Sequence, residues 1–72
     1  MAWQEKFESD GGAEKIVYCG TKKHRHEAPL ITQIAIALGT TYGGTWSVRA
    51  NSYRPVDSCP VNAVTFDDIG LT

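Results

Sequence analysis

Cys19, His24, His26 and Cys59 are the residues of this chain with the most chemistry in their side chains. Thiolate and imidazole are the ligands zinc prefers, and a thiol beside an imidazole is the start of a cysteine nucleophile. Their spacing supports neither. His24 and His26 stand at i, i+2 and match none of the paired cysteine–histidine patterns of zinc sites. Cys19 falls inside an apolar alternating run, where a cysteine packs as a small hydrophobe. Asp67 and Asp68 are adjacent, so an extended backbone points them to opposite faces. The glycines from Gly39 to Gly44 lack the Gly-Lys-Ser/Thr end of a phosphate loop. No catalytic role, cofactor or metal is assigned.

The histidines belong to a more informative feature, the basic run Lys22, Lys23, His24, Arg25 and His26. From Lys15 through His26 the chain carries four Lys or Arg residues and no acid, although its net charge is −1. Such a run is a place for a partner's anionic groups to dock. Tyr42, Tyr53 and Arg54 lie in glycine- or proline-flanked polar segments and are of the residue types that dominate interfaces. These eight residues form the candidate partner-binding set. A nucleic-acid site is the alternative, with Lys22, Lys23 and Arg25 on phosphates and Tyr42, Trp46 and Tyr53 stacking on bases. Against it, nucleic-acid binders carry a domain-wide basic excess, whereas this chain has a pI near 6.0.

The elements that position these residues follow from pattern. In Ala2–Glu8, Trp3, Glu5 and Phe7 alternate with Gln4, Lys6 and Glu8, the pattern of an edge strand with one imperfect position, the charged Glu5. Ser9-Asp10-Gly11-Gly12 is a turn, and Glu14–Gly20 a second strand, giving a β-hairpin. Pro29 in a first turn and Gly39 just past the end frame a helix over Pro29–Leu38, with Leu30, Ile34 and Leu38 on one stripe. A helix this apolar needs cover on most sides. Thr45–Ala50 reads as a strand with Trp46, Val48 and Ala50 inward. Asn51–Pro60 reads as a loop, since it holds both Pro55 and Pro60, and Val61–Phe66 as a short last strand. Trp3, Phe7, Tyr18, Trp46 and Phe66 are the candidate core.

The fold class expected is therefore α+β: a small two-layer ββαββ domain, one helix on a mostly antiparallel sheet, with an all-β small barrel as the fallback. Its 72 residues make one domain with a thin core. A hydrophobic content of 42% with 21% charged residues suits a folded chain rather than a disordered tail. No apolar run approaches the roughly 18 residues of a membrane span, and Gln4, Glu5, Lys6 and Glu8 interrupt any leader-like stretch at the start. A cytoplasmic location, the chain's own cell or a host's, is the expectation. In that compartment Cys19 and Cys59 stay free thiols; a disulfide between them would add about 3–4 kcal/mol and belongs to oxidising surroundings.

The functional expectation is a non-enzymatic binding protein acting on a protein partner. An accessory protein of a phage or mobile element fits the type, as inhibitor of a host complex or as a virion component. Self-assembly is a specific form of it, the acidic hairpin residues Glu5, Glu8, Asp10 and Glu14 meeting the basic run of another copy.

Overall fold

The computed structural model describes residues 2–21 and 23–71. The hairpin forms as its sequence predicts. β1 (Ala2–Ser9) and β2 (Glu14–Thr21) pair antiparallel with Ser9 opposite Glu14. Asp10, Gly11 and Gly12 all take positive φ, and the N–H groups of Gly12 and Ala13 both donate to the Ser9 carbonyl at 2.9 Å. Two glycines supply left-handed backbone that β-branched residues resist.

α1 (Ala28–Tyr42) packs on one face of the sheet. It begins where Pro29 fits the first turn and runs through Gly39 rather than stopping there. Gly39 lets the backbone of the next segment approach, since a Cβ there would sit 3.0 Å from the Gly44 carbonyl. The helix ends at Gly43, φ +81°, whose N–H donates to the Gly39 carbonyl at 2.8 Å.

β3 (Trp46–Val48) and β4 (Arg54–Val56) then lie along the outer side of β1, each antiparallel to it. They are two parts of one edge, separated by a bulge over 49–53. Within it Ser52 Oγ accepts from the Lys6 N–H at 3.0 Å and donates to the Arg49 carbonyl at 2.6 Å, standing in for missing ladder bonds. β5 (Val64–Thr65) pairs parallel with β2 at the far side, and a 3₁₀ turn, Asp67–Ile69, follows. The sheet order is β3-β1-β2-β5, with β4 also on β1, and the sheet is open, not a closed barrel.

The α+β expectation holds, with four corrections to its elements, the first being that the last strand is Val64–Thr65 alone and not Val61–Phe66, because 61–63 are spent in a turn. β1 is the central strand, not an edge, because β3 and β4 cover the side that β2 leaves free. The segment read as loop contains β4: Pro55 is tolerated because the strand is an outer one. Of Thr45–Ala50 only Trp46–Val48 is strand, and Ala50 is exposed rather than inward.

Trp3, Phe7, Tyr18, Ile34, Ala37, Leu38, Trp46 and Ile69 make the core between sheet and helix, with Phe66 half-buried against it. Gly20 stands opposite Trp3, and a Cβ there would collide with the indole, so the glycine makes room for the largest core side chain. Alternation turns Cys19 to the opposite face of the sheet from Tyr18. Cys19 is bonded to Cys59, Cα–Cα 5.7 Å, which corrects the free-thiol expectation. The bond fastens the 57–63 connection, which passes from the β4 side of the sheet to the β5 side, across the face the helix leaves open. Spanning 40 positions of sequence, it adds about 3–4 kcal/mol by restricting the unfolded chain, a large share for a core this thin.

Candidate functional site

The basic run connects β2 to α1. Lys22 lies outside the described residues. Lys23 is exposed, its N–H on Thr21 Oγ1 at 3.4 Å. The next residue turns in: the His24 ring stacks on Phe66, centroids 3.8 Å apart and planes 19° apart, while its carbonyl accepts from Trp3 Nε1 at 2.6 Å. Arg25 points to solvent. His26 turns in again, toward a different partner. Its Nε2 lies 2.6 Å from Glu5 Oε1, and its ring meets Trp3 edge-on at 4.9 Å and Tyr53 at 4.1 Å.

Alternate residues of the run therefore have opposite jobs. Both imidazoles tie the connection to the sheet and to the segments beyond it. Lys23 and Arg25 make no ion pair among the described residues and flank a shallow depression of about 370 Å³ with Pro29, Leu30 and Gln33, which the exposed acid Glu27 also lines. The four zinc-type side chains do not converge: the sulfurs are joined to each other, and the two imidazoles diverge. Among the described residues no group of three or more His, Cys, Asp or Glu is placed to hold a metal.

Glu5 is the residue sequence reasoning misplaced. Its carboxylate is only 9% exposed, on the core face between Trp3 and Phe7, and the His26 bond is what makes that burial tolerable. It is not part of an acidic surface, which leaves Glu8, Asp10 and Glu14. The alternation of β1 already placed Glu5 inward; its partner, 21 residues on, had no local signal.

The candidate set also splits in space. Tyr53 leaves the bulge to cover His26 and stands 45% exposed; Arg54, opposite Gln4, projects from the other face of the same end of the sheet. Tyr42 is at the opposite end, 6.4 Å from Trp46, whose indole is buried and donates to the Gly43 carbonyl at 2.8 Å. Lys23, Arg25, Tyr53 and Arg54 thus lie at one end of the sheet, Arg54 on the face opposite Tyr53, and Tyr42 at the other end.

One side chain in the core has an unusual proton affinity. Tyr18 is fully buried with no partner for its hydroxyl among the described residues, and burial, reinforced by the charge of Asp67, pushes its phenol up to about 12. It stays protonated at neutral pH.

Sequence reasoning missed a groove of about 620 Å³ between α1 and β3, lined by Ile31, Ala35, Ile36, Gly39, Trp46 and Val48. Ile36 is 66% exposed at its rim. The apolar helix is thus covered on one side and bare on another. Among the described residues no helix is long and apolar enough to cross a membrane.

The chain matches no protein-family profile, no curated protein and no solved structure.

Proposed function

We propose that this is a non-enzymatic binding module whose end formed by 23–26 and 53–54 docks an acidic surface of a protein partner. The observation that carries this reading is the division of labour in the basic run. The histidines are engaged in holding the connection, which then presents Lys23 and Arg25 with no ion-pair partner among the described residues, beside a depression where Pro29 and Leu30 meet Gln33 and Glu27. Cations held in place on a fixed backbone lose less entropy on binding than cations on a mobile loop. An accessory role, as inhibitor of a host complex or as a virion component, would use the same end.

The nucleic-acid alternative is less favoured by the same geometry. Base stacking needs open aromatic faces near the cations. Trp46 is buried, Tyr42 is at the other end, and Tyr53 lies against His26. The disulfide argues for a working environment that is oxidising rather than the reducing cytoplasm read from the sequence, because cytosolic thiol pools keep most such pairs reduced.

The test is fluorescence anisotropy with a labelled polyglutamate peptide and with labelled single- and double-stranded oligonucleotides, at low and high salt. The proposal predicts binding to the peptide that weakens with salt and is lost on Lys23→Glu/Arg25→Glu. Oligonucleotide binding lost in the same variant, with none to the peptide, would replace this reading by the alternative.

A further inference from the structure

We propose that the β3 edge and the adjoining flank of α1 form a two-fold interface between copies of this chain, joining two sheets into one. This surface is remote from the basic end, so the inference does not depend on the reading above.

The first ground is backbone pairing. Among the described residues β3 has β1 on one side and no strand on the other. Its register, Ser9 with Trp46 and Phe7 with Val48, is extended by the Asp10 N–H to Thr45 carbonyl bond at one end and by the Arg49 N–H to Lys6 carbonyl bond at the other. In an antiparallel ladder alternate residues face the partner. Thr45, Ser47 and Arg49 turn their polar backbone groups to β1, so those of Trp46 and Val48 point away from it. The neighbouring stretch of the same edge is blunted by Pro55, by the exposed Arg54 and by the bulge; β3 has no such guard.

The second ground is charge. α1 contains no charged residue in its 15 positions, and β3 contains none. The groove between them is uncharged, with Ile36 66% and Val48 38% exposed at its margins. Charged residues stand at its two ends, as exposed Arg49 beyond Val48 and exposed Asp10 beside Thr45 and Gly44, and on β1 behind the strand, where Glu8 pairs with Ser47.

A second copy answers both. Antiparallel pairing centred on Ser47 sets Trp46 of each copy against Val48 of the other, so each outward N–H and C=O meets its complement. The same operation turns the groove-lining flanks of the two helices, with Thr32, Ile36 and Thr40, toward each other over one face of the joined sheet. It also sets Arg49 of one copy opposite Thr45 of the other, next to the Asp10 that Thr45 already pairs with. Two strand spacings separate the Arg49 and Asp10 backbones, about 10 Å, a gap their side chains bridge. Opposite charges at the two ends of one uncharged strip are what a self-complementary two-fold contact requires. One short strand and one helix flank fall short of the roughly 800 Å² per partner of standard interfaces, so a dimer in the micromolar range is expected.

Sedimentation equilibrium across about 5 μM to 1 mM tests this. The expected result is a shift from 7.9 kDa toward twice that mass with rising concentration. Val48→Pro removes an outward N–H without touching the β1 ladder and should weaken the dimer about tenfold to a hundredfold. Ile36→Lys, at an exposed helical site that cannot affect folding much, should do the same. Arg49→Gln should weaken it less and remove its salt dependence. A monomer throughout that range, or a dimer unmoved by both Val48→Pro and Ile36→Lys, overturns the proposal.

Discussion

The end of the sheet carrying the basic run and the flank carrying β3 and the helix invert what their residue types suggest. At the basic end, two histidines and a glutamate have the look of a reactive site, yet they serve as ties: His26 Nε2 bonds Glu5, the His24 ring stacks on Phe66, and His24 Nδ1 lies 3.5 Å from Thr21 Oγ1. The α1–β3 flank holds only aliphatic residues, threonines and one edge strand, and it leaves backbone groups and an isoleucine without partners. Capacity to bind is set by what the fold leaves unsatisfied, and residue identity alone does not report that.

The sharpest way to break this contrast is at Trp3. Its indole donates to the His24 carbonyl, meets His26 edge-on and fills the space over Gly20. Trp3→Ala is expected to cost about 3–5 kcal/mol in chemical denaturation and to free the whole connection, visible as fast amide exchange over 23–27. A loss under about 1 kcal/mol would mean that the end is not held as described.

High pH gives the next largest effect. The unfolded Tyr18 phenol ionises near 10, the folded one at about 12. Between those values the unfolded state has released a proton that the folded state keeps, so stability is full below pH 10 and falls as pH rises to 12. The size is about 2–3 kcal/mol. Tyr18→Phe should abolish that component, and at pH 7 be neutral or slightly stabilising, because the hydroxyl it removes has no partner. A pH profile above 10 identical for both proteins would contradict the burial of that hydroxyl.

His26→Ala strands a buried carboxylate and should cost about 2 kcal/mol, less than a fully enclosed pair because the imidazole is 32% exposed. Glu5→Gln keeps an acceptor for the Nε2 proton and should cost about half as much. Equal losses, or none, measured by urea midpoints would show that the pair is not a structural tie. Smallest of all, Lys23→Ala, Arg25→Ala and Ile36→Thr should each stay within about 0.5 kcal/mol of the parent, since all three side chains are exposed.

Much of the fold was legible because its signals are local. Ser9 to Gly12 announces the hairpin turn, and Pro29 the helix start. Gly39 misled because glycine ends a helix only where the backbone goes left-handed; that happens at Gly43, while Gly39 serves a close approach of Gly44. Pro55 misled because proline excludes a residue from sheet interiors, not from outer strands. The disulfide, the Glu5–His26 pair and the stacking of His24 on Phe66 join residues 40, 21 and 42 positions apart; nothing in a neighbourhood of sequence encodes them. The candidate site was half legible for the same reason. Lys23 and Arg25 face solvent as charged residues do, whereas the inward turn of the alternating histidines depended on aromatic and acidic partners elsewhere in the chain.

The most direct test of the account is chemical-shift mapping of ¹⁵N-labelled protein titrated with an acidic peptide. The account predicts perturbations concentrated at Lys23, Arg25, Tyr53 and Arg54, with 31–40 and 46–48 unmoved. Perturbations centred on the α1–β3 flank, or none at the basic end, would contradict it.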